Sequence, residues 1–105
     1  MVKLSIVVNV KAGMEPADAL EYWVGTHGPI VTKVPGLRSY VQHHATEGLG
    51  GPAPFLGYAE MTFDDRASAD TALATPEFAA ALADAGNFID LPSLMGAWVE
   101  DHAIV

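Results

Sequence analysis

Four stretches of alternating apolar residues, broken in a fixed order by two helical patterns, constrain this chain more than any other feature of its sequence. Over residues 3–10, Leu4, Ile6, Val8 and Val10 share one face of an extended segment, and Ser5, Val7 and Asn9 share the other. β-Branched residues dominate this segment, as suits a strand. After a turn at Lys11–Gly13, Glu15-Pro16 opens a helix, with proline in the first turn where its missing N–H has no partner to lose. Ala19, Leu20, Trp23 and Val24 form one apolar stripe, and Gly25 is expected to end the helix. Residues 26–36 read as a connector with two prolines and at most a short helical turn over Ile30–Val34. Leu37–Ala45 and Phe55–Phe63 read as an antiparallel strand pair joined by the Gly/Pro-rich loop Thr46–Pro54. Asp64-Asp65 caps a helix from Arg66 to Ala74. Thr75, Pro76 and Glu77 supply the N-cap, first position and first-turn acid of a further helical segment that Gly86 closes. Leu94–Val105 reads as the last strand.

The order β-α-β-β-α-β is the split βαβ arrangement of ferredoxin-like folds. This is an α+β domain in which a four-stranded antiparallel sheet carries its helices on one face. At 105 residues the chain is expected to form one domain, 1–105. Half the residues are apolar, generous for so short a chain, and the surplus points to a subunit interface or a ligand cavity. The net charge of −8 argues against nucleic acid and anionic membranes as partners. No cysteine is present, so disulfides and thiolate metal sites are excluded. No apolar run reaches the roughly 20 residues that span a bilayer. The opening segment reads as a strand rather than a secretion signal, and a cytoplasmic location is the expectation.

Sorting strand residues by face gives the first functional expectation, because successive side chains point oppositely. The apolar sets Leu4/Ile6/Val8/Val10, Ala59/Met61/Phe63 and Met95/Ala97/Val99 are expected under the helices. The opposite face would then carry Asn9, Arg38, Tyr40, Gln42, His44, Tyr58, Glu60, Trp98, Glu100 and His102. Leu37, Ser39, Val41 and His43 make only a weak apolar set, so a bulge in the second strand would exchange His43 and His44. Rings mixed with a few convergent polar groups are the composition of a ligand pocket. A second copy packed sheet to sheet would enclose that pocket in a homodimer.

Several segments together resemble the EthD domain family, named for a protein encoded with ethyl tert-butyl ether degradation genes. They are Glu15-Pro16 before Tyr22-Trp23, Thr26-His27-Gly28-Pro29, and the run Val34-Pro35-Gly36-Leu37-Arg38-Ser39-Tyr40-Val41-Gln42. Ala59–Phe63, Thr75-Pro76-Glu77, Asn87-Phe88-Ile89-Asp90 and Glu100-Asp101-His102 continue the match in order. The resemblance implies a dimeric α+β barrel. That superfamily holds muconolactone isomerases, cofactor-free ring monooxygenases, polyketide dehydratases and cyclases, and haem proteins. This chain departs from the family in placing Glu15, a poor N-cap, where serine is usual, and in the glycine-rich loop Thr46–Pro54.

The candidate catalytic residues are His27, His44, Glu60 and His102, with Asn9, Tyr40, Tyr58 and Trp98 as candidate substrate contacts. His27 reads either as a general acid or base, since imidazole titrates near neutrality, or as a structural histidine at a helix end. Glu60, mid-strand between apolar neighbours, needs a partner such as Arg38, a tyrosine or a histidine; desolvated, its pKa would rise and it would carry protons. His102 shares a face with Glu100, an arrangement that can orient an imidazole or simply be solvated near the end of the sequence. Trp23 reads as core, and Asp64, Asp65 and Asp84 as solvated helix-end acids. Isomerisation, dehydration or cyclisation of a small apolar or aromatic molecule by His/Glu/Tyr proton transfer needs neither an organic cofactor nor a metal. The alternatives are a non-catalytic small-ligand or stress protein, a haem protein, and a cofactor-free monooxygenase.

Overall fold

The computed structural model describes residues 1–105. The strands are β1 (Val2–Val8), β2 (Ser39–His44), β3 (Gly57–Phe63) and β4 (Met95–Val99), in the spatial order β2-β3-β1-β4 with every neighbour antiparallel. The helices are α1 (Pro16–Tyr22), α2 (Gly28–Val31), α3 (Arg66–Leu73) and α4 (Pro76–Ala85). The sheet carries them on one face, a ferredoxin-like fold. No helix is long and apolar enough to cross a membrane.

Local chemistry sets most boundaries where the sequence places them. The Asp65 carboxylate accepts from Ser68 N at 2.7 Å and caps α3. The Thr75 hydroxyl accepts from Phe78 N at 3.3 Å and caps α4. Glu15 makes no side-chain cap, as its length predicts. Gly25, by contrast, does not end the first helix. A π-helical turn over Trp23–His27 carries it into α2, with Gly28 N–H bonding to Trp23 O. Pro29 then falls in a first turn, where its missing N–H is harmless. The last strand stops at Val99 instead of running to Val105.

Two buried clusters meet between sheet and helices. One gathers Trp23, Phe88, Ile89, Val8 and Leu56 around Ala19, Ala59 and Ala85. The other joins Phe63, Met61, Val31 and Val34 with Ala69, Ala72 and Ala81. Gly57 lets Trp23 lie against β3. A Cβ there would stand 2.9 Å from the indole Cζ3 and 2.1 Å from His43 O.

Register corrects two of the four face assignments. Tyr40 pairs with Met61 and Gln42 with Ala59, so Tyr40, Gln42 and His44 lie on the helix face, and Val41 and His43 on the open one. Trp98 pairs with Leu4, which puts it on the helix face and turns Met95, Ala97 and Val99 outward. β2 has no strong apolar alternation, and its polar groups find partners among the helices. On β4, the indole of Trp98 packs into the second cluster beneath the Arg66 guanidinium, 4.2 Å from its ring centre. One large ring outweighs three smaller apolar side chains in choosing the buried side.

Candidate active site

A small apolar cavity of the single chain lies between sheet and helices, apart from the open face that a second copy would have to roof. It is a cavity of ≈ 70 Å³ at the junction of the two core clusters, where Ala59, Ala81 and Ala85 leave room between larger neighbours. Fourteen of its fifteen lining residues are hydrophobic; the exception is His27. Leu82, on its rim, is half exposed, so the cavity reaches the surface beside α4.

The π-turn delivers His27 to this wall, 8% exposed and set against the Phe88 ring. Its Nδ1 lies 2.9 Å from Asp84 Oδ2. The Tyr22 hydroxyl donates to Asp84 Oδ1 at 2.6 Å, and Asn87 Nδ2 donates to Tyr22 Oη and to Asp84 Oδ1. Burial works to raise the Asp84 pKa, but the hydrogen bonds from Tyr22, His27 and Asn87 together hold it below the ordinary carboxylate value. Donation to Asp84 raises the Tyr22 phenol, reinforced by burial. An ionised carboxylate only accepts, so Nδ1 of His27 carries the proton. Nε2 bonds to no protein group, and in the neutral imidazole it is the nitrogen that keeps the lone pair.

A second network holds Tyr40. Trp23 Nε1 and Gln42 Nε2 each donate to Tyr40 Oη at 3.1 Å, and Gln42 Nε2 also donates to Trp23 O at 2.9 Å. His44 Nε2 lies 2.8 Å from Gln42 Oε1, and its ring stacks on Trp23 at 4.8 Å. Burial lowers the His44 pKa, so this imidazole is neutral and donates. Burial also raises the Tyr40 phenol, against the pull of Gln42 and Trp23.

The remaining candidates lie elsewhere. Glu60 is on the open face, 3.0 Å from Lys3 Nζ and 2.5 Å from His43 Nε2, while Arg38 pairs with Asp64 instead. Hydrogen bonds from Lys3 first and His43 second lower its pKa, so the desolvated, raised-pKa alternative does not hold. Tyr58 stacks on His43 at 4.3 Å on that same face. Asn9 donates to Ser93 Oγ and ties down the turn before β4. His102 lies beyond β4 and is exposed with Glu100, so the strand expected to carry it is absent.

Asp84, read from sequence as a solvated helix-end acid, is instead the largely buried partner of His27. Its position held a clue. A carboxylate in the last turn of a helix opposes the helix dipole and calls for a compensating partner. Tyr22 and Gln42 were missed as well, because their roles arise from the π-turn and the β2 register.

The EthD domain model matches residues 11–92, a span that includes the π-turn, both networks and α4. The chain is an EthD domain protein. An uncharacterised 11.0 kDa protein from the thcB–thcC intergenic region of Rhodococcus erythropolis is 31% identical over 88 residues, 84% of each chain. Among solved structures, an EthD family protein from Bacillus halodurans superposes with a TM-score of 0.81 at 26% identity, covering 97% of this chain and 100% of that one. A dimeric ferredoxin-like protein from Thermobifida fusca gives 0.70 at 14% identity, over 93% and 88% of the two chains. The cofactor-independent oxygenase SnoaB of Streptomyces nogalater gives 0.66 at 12%, over 99% and 95%. The last two likenesses carry the fold alone.

Proposed function

We propose that this EthD domain binds a small, largely apolar or aromatic molecule in the cavity between sheet and helices, and moves a proton on it with His27. One observation carries the reading. The imidazole stands in a lining otherwise made of aliphatic and aromatic residues, and Asp84 fixes its tautomer so that, in the neutral ring, Nε2 is the basic nitrogen. Such chemistry needs no cofactor, and isomerisation, dehydration or cyclisation are the reactions it serves. The cavity is smaller than the ~150 Å³ that takes up benzene, so a ring inserts its reacting edge and extends through the mouth beside Leu82.

The test is a panel of lactones, quinones and aromatic ketones held with the protein in D2O and followed by proton NMR. At least one compound is expected to bind and gain deuterium at an acidic carbon, with the exchange slowed about a hundredfold by His27→Gln. Ligands that bind and return unlabelled would favour the non-catalytic carrier.

The partner we propose is a second copy of the chain, packed sheet to sheet. Val41, Tyr58, Met95 and Val99 all lie exposed on the helix-free face, Met95 at 63%, an apolar surface suited to a like surface across a two-fold axis. The Thermobifida fusca protein of the same fold is described as dimeric.

A further inference from the structure

From the unclaimed proton of Tyr40 we infer the substrate class: a carbonyl compound whose oxygen accepts a hydrogen bond from the Tyr40 hydroxyl while His27 works on the adjacent carbon. This rests on the cavity reading above and goes beyond it by naming the group that receives the charge.

Valence fixes the direction of every hydrogen bond around Tyr40. Trp23 Nε1 can only donate. Gln42 Nε2 faces Trp23 O, which can only accept, so the amide orientation is fixed, and the same nitrogen must also donate to Tyr40. The amide oxygen is accounted for as well, since it receives His44 Nε2. Tyr40 Oη therefore accepts twice, and its own O–H points to no acceptor in the protein. Two incoming N–H groups polarise that bond and strengthen it as a donor. Tyr40 lines the same cavity as His27. A phenol whose pKa burial has raised remains protonated at neutral pH, the state a donor needs.

The step balances without an oxidant. His27 Nε2 takes the proton from the carbon next to the carbonyl. The C–H electron pair becomes a C=C bond, and the C=O π pair moves onto oxygen, where the Tyr40 O–H bonds to the enolate. Return of the proton to another carbon completes an isomerisation. Delivery of it to a β-hydroxyl, which leaves as water while the enolate electrons re-form the carbonyl, completes a dehydration. Gln42 and His44 are positioning residues that act through Tyr40.

The probe is 4-nitrophenol, a planar oxyanion precursor whose ionisation is read by visible absorbance. Bound to the wild type, its pKa should fall by about one unit, a tenfold rise in the phenolate ratio. His27→Gln should retain the shift. Tyr40→Phe should still bind the probe and lose the shift. His44→Ala, which leaves the phenol intact, should lose part of it. As a check independent of any variant, a ¹³C-carbonyl-labelled aromatic ketone bound to the wild type should show its carbonyl infrared band displaced to lower frequency. An unaltered shift in Tyr40→Phe, or an undisplaced carbonyl band, would overturn the role of Tyr40 while leaving the cavity reading intact. Failure of both probes to bind the wild type would remove the cavity reading and this inference together.

Discussion

The two faces of the sheet put similar side chains to opposite uses. His43 and His44 are neighbours in β2, and the pleat sends them apart. His43, on the open face, meets an ionised Glu60 that Lys3 also holds. His44, under the helices, is kept neutral by burial, stacks on Trp23 and bonds to an amide. The tyrosines divide in the same way. Tyr58 stacks on a half-buried histidine of the open face, whereas Tyr40 receives two hydrogen bonds beside a cavity. The lesson is that residue type alone does not mark a site here. On the open face of the single chain, Lys3 and His43 both pair with Glu60 and leave no titratable group of that cluster without a partner. The covered face gives most polar groups a defined partner and leaves two positions, His27 Nε2 and the Tyr40 proton, without one.

The contrast can be tested in stability and in association. The largest effect is expected from Trp23→Ala, which removes the ring joining the core cluster to the Tyr40 network. A loss of about 3–5 kcal/mol should appear in urea unfolding. Asp84→Ala comes next, at about 1–3 kcal/mol, because it leaves Tyr22 and the His27 Nδ1–H without their acceptor. The pH dependence follows in sign. The folded-state pKa of Asp84 is depressed, so its contribution is complete above the unfolded carboxylate pKa and is lost as pH falls through the lower folded value. Wild type should therefore lose more stability than Asp84→Ala on acidification, and parallel curves would remove this carboxylate from the account.

On the open face, Met95→Lys should leave the monomer's unfolding midpoint nearly unchanged and weaken self-association by at least about tenfold in light scattering or sedimentation. A wild-type chain that stays monomeric at micromolar concentration would end the sheet-to-sheet pairing. The smallest effect belongs to His102→Ala. Its imidazole is exposed and bonds only to exposed Glu100, so unfolding and ligand exchange should both match wild type. A large loss of activity in that variant would break the division between the two faces.

Element order, the caps at Asp65 and Thr75 and the β2–β3 pairing were legible in the chain, because each depends on contacts a few residues long or on turn signals between extended segments. The family likeness was legible too, in motifs spread over most of the length. Which side of β2 and β4 is buried was not. In both strands the two faces carry comparable apolar content, and only register against Leu4, Ala59 and Met61 decides between them. The π-turn was equally hidden, since its extra residue is held by i→i+5 backbone bonds, such as that from Gly28 N–H to Trp23 O, that no side chain announces. Asp84 and His27, 57 residues apart, meet only when α4 packs on that turn. Short-range chemistry thus wrote the elements, and long-range packing chose the buried faces and assembled the cavity. The reason is that burial free energy belongs to pairs of surfaces, while propensity belongs to single residues.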